Sequence, residues 1–160
     1  AFFFTANSHE ELIVRSKDFF DNATPAGKSV AADALLKLAK LTGDEKYERC
    51  AVTVLKLVAP QIRRYPNGFG RILSTLEFYL NPVKEIVLLG ARAGELAREI
   101  WRDYLPSKIV VIAESDEAAA AIPLLSERKS IAGKPTAYVC ENFVCQRPVT
   151  TVEELREQLK

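Results

Sequence analysis

The hydrophobic period changes once along this chain, at Asn81-Pro82, and that change limits the folds open to it. Ahead of the break, apolar residues return every three or four positions, the spacing of one helix face. Behind it they gather into short β-branched runs separated by helical stretches, which is how buried strands with helical crossovers read. The fold class expected is therefore mixed α/β, with helical hairpins over residues 1–81 and a small α/β element over residues 82–160.

In the front part, Thr24-Pro25 is a helix start, a hydroxyl cap followed by Pro where its missing N–H costs nothing. Val30, Ala34, Leu35, Leu38 and Leu41 form the stripe of this helix, and Gly43 is its stop. Asp44 caps a second helix, whose face is Tyr47, Cys50, Ala51, Val54, Leu55 and Val58 up to Pro60. The short link makes the two an antiparallel hairpin. A third helix is expected from Asn67 or Gly68 to Tyr79, with Phe69, Ile72, Leu73, Leu76 and Tyr79 on one stripe. Residues 1–24 read as an irregular lead-in with a short strand at 2–5. So few amphipathic helices cannot enclose their own apolar faces, and cover is expected from the remainder of a parent chain or from another subunit.

In the back part, strands are expected at 84–89, 108–113 and 136–140, and helices at 91–104, 117–125 and 151–160. Apolar strands joined by helices predict a three-stranded parallel sheet with right-handed crossovers. Thr150 or Thr151, with Glu153 and Glu154 in the first turn, announces the last helix.

Composition narrows the function classes. Net charge is +1, and eleven Lys/Arg against nine Asp/Glu ahead of the break, with eleven against twelve behind, leave no single-sign field for nucleic acid. The apolar runs at 86–89 and 109–113 fall far short of the roughly 20 residues that cross a bilayer. The opening Ala1-Phe2-Phe3-Phe4 has no initiator Met and no cationic n-region, and no Met occurs anywhere, so a start inside a longer protein is expected. Three cysteines, an odd number in a chain too large to need stapling, favour a reducing, cytoplasmic compartment.

Three groups of residues could carry chemistry. Gly90-Ala91-Arg92-Ala93-Gly94 sits between a strand and a helix, but it lacks the third glycine of a dinucleotide turn and the lysine of a phosphate loop. It reads as a structural turn, and no cofactor is implied. Cys140 and Cys145 have four residues between them and neither a second Cys pair nor a His nearby, which excludes the usual zinc patterns. They read first as two small apolar residues near the end of a buried strand, and alternatively as a disulfide or a thiol-exchange pair. His9, the one histidine, shares its segment with Glu10, Glu11, Asp18 and Asp21. A solvated loop is the plain reading, and an acid/base group is the functional one.

The stretch from Asp21 to Ala32, then Leu41-Thr42-Gly43-Asp44, and later 136–140 with Cys145 and Pro148-Val149-Thr150, resembles the C-terminal part of the spermatogenesis-associated protein 20 family. The resemblance covers essentially the whole chain. It implies a long cytosolic protein with a thioredoxin-like N-terminal domain and an (α/α)6 toroid of the six-hairpin glycosidase and N-acylglucosamine 2-epimerase type. The front helices would then be closing hairpins of the ring, and the α/β part an appended element. Where relatives often read Ser-Gly-Asn-Ser, this chain has Ala26-Gly27-Lys28-Ser29, a cation in place of an amide that could bind a sugar hydroxyl.

Three functions follow as expectations. In a sugar funnel, His9 acts as acid/base, Asp18 or Asp21 orients hydroxyls, Arg15 or Lys17 holds an anionic group, and Asn22 joins the binding set, with a carbohydrate as ligand. In a redox role, Cys140 and Cys145 exchange with the thioredoxin-like domain. In a structural role, the chain is an interaction module without chemistry of its own.

Overall fold

The computed structural model describes residues 5, 6, 8, 10, 13–115, 122–126, 128–141 and 144–160. The chain forms two compact units, Ala1–Leu80 and Asn81–Lys160. The strand expected at 2–5 and most of the helix expected at 117–125 lie outside the described residues.

The first unit is helical. Helix α1 (Gly27–Thr42) ends on Gly43, whose φ of 72° is the left-handed conformation that glycine adopts without a steric penalty. After Asp44 the chain continues as α2 (Glu45–Arg64), packed along α1, with the Asp44 carboxylate accepting the Lys46 N–H at 2.8 Å. Pro60 does not end α2 as expected. It removes one N–H donor, and the last turn still closes, Tyr65 N–H donating to the Gln61 carbonyl at 2.8 Å. A 3-10 turn at Pro66–Gly68 leads into α3 (Gly70–Leu80).

Two local expectations at α1 are corrected. The residue before the helix is Ala26, whose own side chain offers no cap, and Thr24 makes none either; the cap comes from Asp21, as described below. The buried face is also different: Lys28, Ser29, Ala32, Leu36 and Ala39 are buried, whereas Val30 and Leu38 are 45% and 40% exposed. Small residues at 32 and 39 let a neighbouring backbone come close, so packing selects that side over the bulkier stripe.

The second unit is built on a four-stranded mixed sheet in the order β2-β1-β3-β4. Strands β1 (Lys84–Leu89) and β2 (Lys108–Ala113) are parallel and joined through helix α4 (Gly94–Ile100). Strand β3 (Thr136–Glu141) is antiparallel to β1, and β4 (Val144–Cys145) is antiparallel to β3. The expected all-parallel, three-stranded sheet is thereby corrected. Register gives the reason: Ala113, which ends β2, and Thr136, which begins β3, are both partners of Leu89. The connection returns to the end of the sheet it left, and only an antiparallel strand can start there.

One face of the sheet carries Ile86, Leu88, Ala137 and Val139 against α4 and the last helix, α5 (Val152–Leu159). Thr151 caps α5 by accepting the Glu154 N–H at 3.3 Å, as the sequence indicated. The opposite face carries Val87, Leu89 and Ala113, covered by Leu125 of a second 3-10 turn, Pro123–Leu125, where a helix was expected.

Candidate functional site

The β3–β4 hairpin places Cys140 and Cys145 directly across from each other, and the two are joined by a disulfide with Cα atoms 3.9 Å apart. Gln146 donates its N–H to the Val139 carbonyl at 2.9 Å, so the cysteines occupy the neighbouring, non-hydrogen-bonded position, where opposed side chains lie closest. Cys140 is 1% exposed, and Cys145 faces solvent.

Arg128 lies over this pair. Its guanidinium donates to both sulfurs at 3.3 Å and stands 6.0 Å from the centroid of the Tyr138 ring. Tyr138 in turn fixes the segment that carries Arg128, its hydroxyl donating to the Lys129 carbonyl at 2.7 Å and accepting the Lys129 N–H at 3.3 Å. A cation at hydrogen-bond distance from sulfur favours the thiolate over the thiol. The arrangement can therefore stabilise either thiolate that opening of the disulfide would release.

The lead-in residues are arranged differently. His9 lies outside the described residues. Arg15 donates to the Thr5 carbonyl at 2.7 Å, and the side chains of Lys17, Asp18 and Asn22 are exposed. Asp21 turns inward, one oxygen accepting the Ala26 N–H at 2.9 Å at the start of α1 and the other the Ile72 N–H at 3.0 Å in the first turn of α3. Partial burial pushes its carboxyl up, but these bonds together outweigh that and hold it below the ordinary aspartate value.

Lys28 is 5% exposed, its ammonium donating to the Asp18 carbonyl at 3.0 Å and to the Phe19 carbonyl, and lying 4.5 Å from the centroid of the Phe19 ring. Burial lowers its pKa, opposed by the charges of Asp21 and Asp18. Asp18, Asp21 and Lys28 are thus brought together, with Asp18 contributing main chain and Asp21 committed to two helix starts. Among the described residues, no group of three or more His, Cys, Asp or Glu is placed to hold a metal ion, and no helix is long and apolar enough to cross a membrane.

Sequence reasoning missed Arg128 and Tyr138, and it marked Lys28 only as a departure from relatives, not as a buried cation on the Asp18 and Phe19 carbonyls. The isolated Lys in the Ala26-Gly27-Lys28-Ser29 turn was a visible signal, whereas Arg128 meets the sulfurs only through the hairpin register and had none.

No family model matches the chain, and no solved structure matches it. Curated proteins do. Human spermatogenesis-associated protein 20 is 32% identical over 155 residues, 92% of this chain and 20% of the human protein. The mouse protein of the same name is 30% identical over 156 residues, and an uncharacterized protein of Caenorhabditis elegans is 26% identical over 160. The chain spans about a fifth of the length of these relatives. Similarity at this level over nearly all of its residues means that the chain belongs to the spermatogenesis-associated protein 20 family.

Proposed function

We propose that the Cys140–Cys145 hairpin is a thiol–disulfide exchange element. The observation that carries this reading is the Arg128 guanidinium at 3.3 Å from both sulfurs, in a pair of which Cys145 is an exposed residue. A disulfide that only staples a hairpin has no use for a cation on its sulfurs, whereas a pair that opens needs its thiolates stabilised. In a cytoplasmic compartment such a bond is transient, and works in catalysis or sensing. Its partner is a protein dithiol, of the thioredoxin-like kind that the family resemblance implies for the full-length protein.

The test is the rate at which a small dithiol reduces the bond, followed by mass and by loss of the disulfide. Reversible opening with retention of fold is expected. Arg128→Ala should slow it by about threefold or more, because the leaving thiolate loses its cation. A bond that resists the dithiol until the protein unfolds would overturn the reading.

A second reading concerns the first unit. Val30 and Leu38, 45% and 40% exposed on α1, and Leu57, 56% exposed on α2, favour burial against further helices, as one wall of a helical toroid with a sugar funnel. In the full-length protein, Leu38→Asp should then lower stability by about 1.5–3 kcal/mol, and no loss would refute it.

A further inference from the structure

Strand β2 ends the sheet order β2-β1-β3-β4 among the described residues, and it is built unlike the opposite end. Strand β4 is two residues long, a common way of blunting an edge, whereas β2 runs for six. Between Lys108 and Glu114 the sequence is Ile109-Val110-Val111-Ile112-Ala113, with no proline and no charge to turn another strand away. Lys84 N–H donates to the Ser107 carbonyl and Gly90 N–H to the Ala113 carbonyl, both at 3.0 Å. Since successive residues of a strand direct their backbone groups to opposite sides, residues 109, 111 and 113 turn their N–H and C=O toward β1, and residues 108, 110 and 112 turn theirs away from it. Lys108, Val110 and Ile112 share the sheet face of Ile86 and Leu88, the face that α4 covers. On that side Ile112 is 47% exposed, and Trp101, whose ring centroid lies 4.5 Å from the Lys108 ammonium, is 64% exposed.

We propose that β2 pairs antiparallel with β2 of a second copy of this chain, about a twofold axis at Val111. This register sets Val110 opposite Ile112 of the other copy and Ile112 opposite its Val110, the residues whose backbone groups face outward, so that the sheet becomes continuous through both copies. It also sets Lys108 opposite Glu114 at each end of the seam. An axis at Val110 or at Ile112 would instead set Lys108 opposite Ile112 or Glu114 opposite Val110, a charge against an apolar side chain at both ends. The Lys108 ammonium gives one bond to the Leu105 carbonyl at 2.8 Å, and among the described residues no carboxylate pairs with it, while Glu114 is exposed. Opposed residues of antiparallel strands project from one face, so Val110 and Ile112 of both copies form a single apolar strip that covers the exposed Ile112 side chain, with a Trp101 beside each end. A cation at one end of an apolar run and an anion at the other make the strand complementary to itself when antiparallel, which favours a copy over an unrelated segment.

The test is the mass of the chain in sedimentation equilibrium from micromolar to near-millimolar concentration, with the exposed Cys50 replaced (Cys50→Ser) so that its thiol joins no two copies. A reversible dimer is expected. Glu114→Lys and Lys108→Glu should each raise the dimer Kd by roughly tenfold, and the double variant should bring it back to within about threefold. Ile112→Pro removes an outward-facing N–H and no bond to β1, and should raise the Kd by roughly a hundredfold or more. A chain that stays monomeric throughout would overturn the proposal, as would a dimer whose Kd is unmoved by Glu114→Lys and Ile112→Pro. A dimer formed by the chain alone but lost in the full-length protein would give this edge to another part of the parent and overturn it too. Should Lys108→Glu or Ile112→Pro not fold, Glu114→Lys and Glu114→Gln decide: Glu114→Gln should raise the Kd by about threefold and remove most of its salt dependence, and no change in either variant refutes the register.

Discussion

The Asp21 carboxylate and the Ile72 backbone N–H meet at 3.0 Å although 51 positions separate them in the chain. Because the other carboxylate oxygen accepts the Ala26 N–H, one side chain holds the starts of α1 and α3 together. Replacing it removes two caps at once. Asp21→Ala should cost about 2–3 kcal/mol, read from the denaturant midpoint, and Asp21→Asn should cost less because one carbonyl oxygen remains to accept.

The same carboxylate makes stability depend on pH. Its folded pKa lies below the unfolded value of 3.8, so its contribution is fully present above that value and is lost as pH falls through the folded pKa. Thermal midpoints should therefore drop as pH falls below about 4, and Asp21→Asn should flatten that limb of the profile. An unchanged slope in the variant would contradict the prediction.

Lys28 ties the lead-in to α1 through the Asp18 and Phe19 carbonyls. In Lys28→Met the length of the side chain is kept, while both bonds and the ammonium over the Phe19 ring disappear. We expect a global loss of only about 1 kcal/mol, since removing a buried charge offsets part of the lost bonding. Tryptic cleavage after Arg15 and Lys17 should accelerate clearly more than global unfolding does.

Gly90 adopts φ 95°, and a Cβ there would sit 3.3 Å from the Lys134 carbonyl oxygen and 3.2 Å from Ser130 Cβ. Gly90→Ala combines left-handed strain with a tight backbone contact, and should cost about 1–3 kcal/mol in unfolding experiments. Gly94→Ala is the control, because a Cβ there meets nothing within 4 Å.

Tyr138→Phe keeps the ring beneath Arg128 and removes the hydroxyl that holds Lys129. The segment bearing Arg128 should loosen, slowing reduction of the disulfide by about twofold, less than Arg128→Ala does. A rate equal to that of the unmutated chain would show that the hydroxyl has no part in placing the guanidinium.

Strands β1 and β2 and the Thr151 cap were legible in the sequence because each depends on neighbours within a few positions. Apolar β-branched runs and a hydroxyl ahead of two glutamates state their local preference wherever they occur. The stop at Gly43 is of the same kind. The buried side of α1 was not legible, since a helix apolar on two sides leaves that choice to its neighbours.

What the sequence determined by itself was the alternation of elements and the break near Asn81. Tertiary structure alone decided the direction of β3 against β1, and which side chain covers the Cys140–Cys145 hairpin. Arg128 reaches the sulfurs only because the chain returns over that face, held there by Tyr138. Such pairings join residues far apart in the chain, and their energy belongs to the assembled sheet, so no short stretch of sequence can encode them.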